Sequence, residues 1–137
     1  IEDERLPYPV RIAGNVDRIE LRNNKIRIID YKTGKVELRN VQLKAWEGLT
    51  TDVKNDKIIQ LLCYALMYQF EANDTKMEAG IISFKNMKAG FMPFGVKEEK
   101  GSDTFITLEI LEAFTNEIVA LIAEILNPEV AFEEQLD

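Results

Sequence analysis

Two aspartates and a lysine form the group of residues best suited to catalysis. Asn23 and Asn24 are a turn dipeptide between two β-rich runs, so the chain around them should fold as a hairpin. A two-residue turn there would place Asp17 directly opposite Asp30, and Lys32 would share their face of the sheet. The hairpin therefore predicts a cluster of two carboxylates and one ammonium group.

Two opposed carboxylates need a compensating positive charge. Directly opposed Cβ atoms lie about 4.5–5.5 Å apart, and like charges at that distance destabilise a sheet. Oxygen ligands suit Mg²⁺ or Mn²⁺ better than zinc here, because the chain has no histidine and Cys63 is its only cysteine. We therefore expect a Mg²⁺ or Mn²⁺ site between Asp17 and Asp30.

The alternative is a solvated aspartate pair at a strand edge. An exposed Asp-x-Lys ion pair contributes at most about 1 kcal/mol and implies no function. Asp17, however, follows the largely apolar run IAGNV, and Asp30 follows IRII. Each carboxylate ends such a run instead of lying on a polar face, and this placement favours the metal site.

Composition limits the class of protein. A chain of 137 residues with 46% hydrophobic and 30% charged residues is typical of one compact domain, here residues 1–137. Because histidine is absent, catalysis must use carboxylates, lysines or tyrosines. The lone cysteine and the lack of ~18 consecutive apolar residues predict a cytoplasmic protein without a membrane span.

The overall charge argues against nucleic-acid binding, whereas the distribution of basic residues favours it. The formal net charge of -7 would repel a polyanion on average. Basic residues nevertheless crowd the hairpin, namely Arg18, Arg22, Lys25, Arg27, Lys32 and Lys35. A local basic surface of this kind can bind phosphates despite the negative total.

The hairpin belongs to a mixed order of strands and helices. β-rich runs predict strands at residues 8–13, 16–21, 25–31, 79–84 and 90–95. Helical spacing of apolar residues predicts helices at residues 56 to about 71, with Asn55 or Asp56 as N-cap, and 108–126. Residues 33–56 should form a loop with a short turn around Trp46. The expected fold is α/β, a mixed central sheet flanked by helices.

Three motifs in sequence order resemble those of a known family. They are G-N-V-D-R at residues 14–18, D-Y-K-T-G at residues 30–34 and Q-L-L-C-Y at residues 60–64. Together they resemble the RecB-like branch of the PD-(D/E)XK nuclease superfamily, especially the nuclease domains of AddB- and RecB-type helicase-nucleases. The resemblance covers about residues 8–70 and implies a restriction-endonuclease-like fold.

The resemblance also implies residue roles in the hairpin. Asp17 and Asp30 would hold the metal together with the backbone carbonyl of Tyr31. Lys32 would orient or activate the attacking water.

Gln60 and Tyr64 match the family's helical element, which faces the DNA and the catalytic lysine. Residues four apart share a helix face, in agreement with that role. We add Arg18, beside Asp17, as a further supporting residue. The alternative for Tyr64, as for Tyr68, is a core aromatic.

These observations predict a metal-dependent deoxyribonuclease. It would hydrolyse DNA phosphodiester bonds in repair or recombination, with DNA and a helicase domain or subunit as partners. Two rivals remain, a non-catalytic DNA-binding or scaffolding domain that keeps the nuclease fold, and an interaction module whose hairpin acids are incidental. A non-catalytic domain would be expected to have lost Lys32 or an aspartate, and all three residues are present.

The sequence departs from the family pattern before the hairpin. Family members carry an acidic or histidine metal ligand on a preceding N-terminal helix, and we expect that helix to lie upstream of Ile1 in a larger protein. Glu2 and Glu4 are poor replacements, so residues 1–137 alone should be a weak or inactive nuclease. An iron-sulfur cluster is not expected within this chain, because Cys63 is its only cysteine.

Overall fold

The computed structural model describes residues 1–69, 76–96 and 104–127. The strands are β1 (Arg18–Arg22), β2 (Lys25–Lys32), β3 (Gln42–Leu43), β4 (Lys76–Ser83), β5 (Met92–Pro93) and β6 (Gly95–Val96). The α-helices are α1 (Asp56–Tyr68) and α2 (Leu108–Leu126), and short 3₁₀ helices cover Leu38–Val41, Val53–Asn55 and Met87–Ala89. The α/β prediction is confirmed.

The main sheet has four strands in the order β1-β2-β4-β5. Strand β2 pairs antiparallel with β1 and parallel with β4, so the sheet is mixed. Helix α1 lies in the connection from β2 to β4, as a parallel pair requires. The remaining strands, β3 and β6, form a separate parallel pair.

The hairpin has the predicted two-residue turn. Asn23 and Asn24 have φ values of 52° and 59°, the positive values that a type I′ turn needs at both central positions. Leu21 pairs with Ile26, and the register continues along the strands until Arg18 pairs with Ile29. The same register places Asp17, the residue before β1, opposite Asp30.

Helix α1 covers one face of the sheet. Ile28 on β2 and Ile81 on β4 are fully buried on that face, in one core cluster with Leu61 of α1. Residues of β2 alternate between the two faces, so Tyr31 lies on the opposite face from Ile28. Helix α2 packs against α1 through its own buried residues, which include Phe114.

Both helices begin close to the predicted positions. Helix α2 has the predicted bounds, and the Thr107 hydroxyl caps it by accepting a hydrogen bond from the Ile110 amide at 3.2 Å. Helix α1 has Asn55 as its N-cap residue, without a capping hydrogen bond from its side chain. The described part of α1 ends at Tyr68, and the predicted end near Glu71 lies outside the described residues. In the described part of the chain, no helix is long and apolar enough to cross a membrane.

Three of the predicted strands or loops need correction. Residues 8–13 are not a strand, because Pro7 and Pro9 remove backbone donors from this segment. Residues 90–95 do not form one strand but are divided between β5 and β6, which belong to different sheets. The loop at residues 33–56 contains two 3₁₀ helices and β3 as well as the predicted turn, where the Leu49 amide donates to the Trp46 carbonyl at 3.1 Å.

Candidate active site

Asp17 lies at the edge of the sheet, where it reaches across to β2. Its Oδ2 accepts a hydrogen bond from the Tyr31 amide at 2.9 Å. Its carboxyl group also lies close enough to that of Asp30 for each to influence the pKa of the other. The expected pair of opposed carboxylates is therefore present.

Asp30 is the buried member of the pair. The residue is only 4% exposed, and its Oδ2 lies 2.9 Å from Nζ of Lys32. This contact has the distance of an ion pair but not the angles of a hydrogen bond, so Oδ2 has no hydrogen-bond partner among the described residues. A buried carboxylate oxygen without such a partner is costly unless another positive group binds it.

Lys32 connects the carboxylates to helix α1. Its Nζ donates to Oε1 of Gln60 at 2.7 Å, and Nε2 of Gln60 donates to the Tyr64 hydroxyl oxygen at 2.9 Å. An ammonium group has three donors, of which Gln60 accepts one and Asp30 accepts none in hydrogen-bond geometry, so at least one remains. The structure thus brings Lys32, Gln60 and Tyr64 into one chain of polar contacts that ends at Asp30.

The two aspartates have opposite pKa shifts. The hydrogen bond from the Tyr31 amide, followed by that from Asp30, lowers the pKa of Asp17. Burial raises the pKa of Asp30, and this effect outweighs the contact with Lys32. Without a further cation, Asp17 is the stronger acid and Asp30 is the carboxyl group that holds a proton more readily.

The donor set fits a hard divalent cation. Asp17 and Asp30 supply carboxylate oxygens, and the Oδ2 atom of Asp30 lacks a hydrogen-bond partner within the described ranges. The Tyr31 amide points towards Asp17, and because N–H and C=O of one strand residue face the same edge, its carbonyl faces that edge as well. Three protein oxygens with the other positions filled by water suit Mg²⁺ or Mn²⁺. Within the described residues, no group of three or more acidic, histidine or cysteine residues converges, so a third carboxylate is not part of this set.

Arg18 is not brought to this cluster. Its side chain is 59% exposed and forms an ion pair with Glu20 at 3.1 Å. As the neighbour of Asp17 on an extended strand, it also points to the other face of the sheet. The structure thus gives Arg18 a contact with Glu20 and none with the carboxylate pair.

Two supporting residues were not identified from the sequence. A Cβ atom on Gly14 would lie 3.3 Å from the Tyr64 ring, so the small residue allows the tyrosine to approach this segment. The Ser83 hydroxyl donates to the Gly34 carbonyl at 2.7 Å and accepts from the Val36 amide at 3.1 Å. These bonds fix the loop that follows Lys32. Gly14 belongs to the G-N-V-D-R motif, whereas no sequence pattern marks Ser83.

Comparison with known families agrees with this geometry. The family model of the PD-(D/E)XK nuclease superfamily matches residues 1–136. Because the match covers almost the whole chain, the protein belongs to this superfamily, and its mixed sheet with two helices is consistent with a restriction-endonuclease-like fold. Members of the superfamily generally hydrolyse phosphodiester bonds and typically use divalent metals. No match was found among curated proteins or solved structures.

Proposed function

We propose that the protein is a metal-dependent DNA nuclease. The observation that carries this proposal is the buried Oδ2 of Asp30, which lacks a hydrogen-bond partner among the described residues while facing Asp17 and Lys32. The Lys32 ammonium group, 2.9 Å from that oxygen, compensates its charge only in part, because burial still raises the pKa of Asp30. A divalent cation held by Asp30, Asp17 and the Tyr31 carbonyl would supply the missing partner.

Each polar residue would have a distinct role in phosphodiester hydrolysis. The bound Mg²⁺ or Mn²⁺ would supply charge stabilisation at the phosphoryl oxygens and a lowered pKa of the attacking water. Lys32 would direct its remaining N–H towards the nucleophile or the developing charge on the phosphate. Its position is fixed in advance by Gln60, so little reorganisation would be needed during the reaction.

Tyr64 is 8% exposed and its ring packs in the hydrophobic core, as the core alternative expected, so only its hydroxyl group would reach the substrate. Its oxygen accepts the hydrogen bond from Nε2 of Gln60, so its own hydroxyl hydrogen remains available for another acceptor. A phosphate oxygen of bound DNA would be such an acceptor. Gln60 would therefore hold Lys32 and the Tyr64 hydroxyl in one chain of hydrogen bonds beside a bound phosphate.

The finer assignment rests on the motifs. The order of G-N-V-D-R, D-Y-K-T-G and Q-L-L-C-Y supports a RecB- or AddB-type nuclease that acts in DNA repair or recombination. DNA would be its substrate, a helicase domain or subunit its partner, and the cytoplasm its location.

One observation favours the non-catalytic alternative. Only two carboxylates converge within the described ranges, whereas the family pattern adds a further acidic or histidine ligand from a preceding helix. A DNA-binding domain that keeps the nuclease fold would have no need for a divalent site. Metal binding therefore separates the two functions.

Calorimetric titration with Mn²⁺ tests the proposal. The wild-type chain should bind about one ion, and Asp30→Asn should remove that binding because the amide supplies no anionic oxygen. Glu20→Gln is the matched control, since it removes a hairpin carboxylate on the face away from the site. DNA cleavage in Mn²⁺ should follow the same pattern. Mn²⁺ binding that is identical in all three proteins would refute the site.

A further inference from the structure

The segment after β4 lies against the backbone of the candidate active site. Strand β4 ends at Ser83, and the amide of the next residue, Phe84, donates to the Lys32 carbonyl at 2.9 Å. The side chain of Asn86 donates to the Val36 carbonyl at 2.8 Å. Residues 84–88 are therefore held next to the loop that follows Lys32.

This segment carries an exposed aromatic ring. Phe84 is 53% exposed, and its ring stacks on that of Tyr31 with 5.7 Å between centroids and an interplanar angle of 6°. Tyr31 is the middle residue of the D-Y-K motif. One side of the Phe84 ring is thus supported by the active-site strand, and much of the remainder is open to solvent. Met87, three residues further on, is 61% exposed.

The same segment carries positive charge without ion-pair partners among the described residues. Lys85 and Lys88 are exposed, and neither has an ion-pair partner in the part of the chain that the structure describes. Lys35, on the facing loop, lies 4.0 Å from Glu37, at the limit of an ion pair. In a chain with a net charge of -7, this is a local basic surface.

We propose that Phe84, Lys85, Met87 and Lys88 form a binding surface for single-stranded DNA, named here the strand-end surface. The proposal rests on the nuclease function and specifies its substrate. Aromatic rings bind unstacked bases with about 1–3 kcal/mol per base, and neighbouring lysines bind the phosphates. A base stacked on the outer side of Phe84 would continue the stack that begins at Tyr31.

The position of the surface favours a single strand over a duplex. Tyr31 and Lys32 are consecutive strand residues, so their side chains point to opposite faces of the sheet. DNA that contacts both Phe84 and Lys32 must turn around the end of β2. Duplex DNA has a persistence length of about 150 bp and keeps its bases stacked inside, whereas a single strand can bend and expose them.

Exposed apolar residues are common at protein surfaces, so the charge around Phe84 is the important difference. Leu108, at the start of α2, is 69% exposed but is followed by Glu109 and Glu112 on the same helix. Acidic neighbours would repel phosphates. Leu108 therefore provides a matched control for the loss of an exposed apolar side chain.

Fluorescence anisotropy can test the strand-end surface. A labelled oligothymidylate and a blunt duplex of equal length would be titrated with residues 1–137 at low salt in EDTA, which prevents cleavage. Phe84→Ala should weaken single-strand binding by about 5- to 150-fold, which corresponds to the loss of one stacked base. Phe84→Trp should restore it, and Leu108→Ala should bind as the wild type does.

A salt titration tests the lysines separately. Each phosphate contact on a single strand contributes about -0.7 to the slope of log K against log salt. Lys85→Gln combined with Lys88→Gln should therefore make that slope shallower by about 1.4. Lys54→Gln changes a lysine of the 3₁₀ helix before α1, which is not part of the strand-end surface, and should leave the slope unchanged.

The outcomes distinguish this proposal from the nuclease function. Equal binding of the single strand by wild type and Phe84→Ala would overturn the strand-end surface, even where Asp30-dependent cleavage is present. Equal binding of duplex and single strand would also overturn it. Phe84-dependent binding without any Mn²⁺ site would support the surface and refute the nuclease.

Discussion

The substitution Asp30→Asn should stabilise the metal-free protein. Asp30 is buried and its Oδ2 has no hydrogen-bond partner among the described residues, and a buried unsatisfied polar group costs about 1–3 kcal/mol. Asparagine is almost the same size but carries no charge. The substitution also removes the contact with Lys32, whose side chain is partly exposed, at a cost of about 1 kcal/mol or less. The expected net gain in the free energy of unfolding is about 1 kcal/mol.

The same substitution should remove stabilisation by the metal. Binding to the native state alone contributes about 2.7 kcal/mol when the free ion is at 100 times its dissociation constant. Thermal unfolding in EDTA and in excess Mn²⁺ measures both effects, with about 2–4 °C per kcal/mol expected for a domain of this size. The wild type should melt higher in Mn²⁺, and Asp30→Asn should melt at the same temperature in both buffers. Glu20→Gln, which changes a half-buried hairpin carboxylate outside the site, should behave as the wild type does.

The pH dependence of stability in EDTA provides an independent check. The folded-state pKa of Asp30 is raised above its unfolded value of about 3.9. The stabilisation of the folded state by the protonated carboxyl group is therefore fully present below about pH 3.9 and is lost as pH rises through the folded pKa. The folded-state pKa of Asp17 is lowered, so its contribution is present above the unfolded pKa and is lost as pH falls through the folded pKa. The stability advantage of Asp30→Asn over the wild type should therefore be largest above the folded pKa of Asp30. A lower melting temperature for Asp30→Asn in EDTA at neutral pH would refute this reasoning.

Three further substitutions test the site and the sheet. Lys32→Ala should lower any DNA cleavage that the wild type shows in Mn²⁺ by about 100- to 1000-fold while leaving Mn²⁺ affinity largely intact, because its role is in the transition state. Cleavage at near-native rates would exclude that role. Gln60→Ala should lower the cleavage rate by about 10- to 100-fold, because Lys32 loses its hydrogen-bond acceptor. Wild-type rates in the same assay would show that Gln60 contributes only to packing. Gly80→Ala should destabilise the fold by about 1–3 kcal/mol in urea unfolding. The new Cβ would lie 2.4 Å from the Met92 carbonyl oxygen and 2.7 Å from the Phe91 ring. Unchanged stability would show that β5 can move away.

Local patterns were sufficient to predict the hairpin and the helices. Asn23 and Asn24 accept the positive φ values of a tight turn, and this turn sets the register that continues to Asp17 and Asp30. Helix α2 followed from its apolar spacing and from the stop at Asn127 and Pro128. These features depend on neighbouring residues, which the sequence shows directly.

The short strands were not predictable in the same way. Strand β5 exists because Met92 pairs with Ile81, and β6 exists because Val96 pairs with Leu43. Both pairings join residues far apart in the sequence. A run of six residues that is shared between two sheets has no local pattern of its own, so the sequence indicated a single strand.

The sequence determined which chemical groups are available, and the tertiary structure decided which of them meet. The motifs named Asp17, Asp30, Lys32 and Gln60, but the order of their contacts depends on where α1 crosses the sheet. The alternation of an extended strand turns Arg18 away from Asp17, although the two are adjacent in the sequence. The fold also gives two identical residues opposite pKa shifts, because the hydrogen bond from the Tyr31 amide lowers the pKa of Asp17 and burial raises that of Asp30.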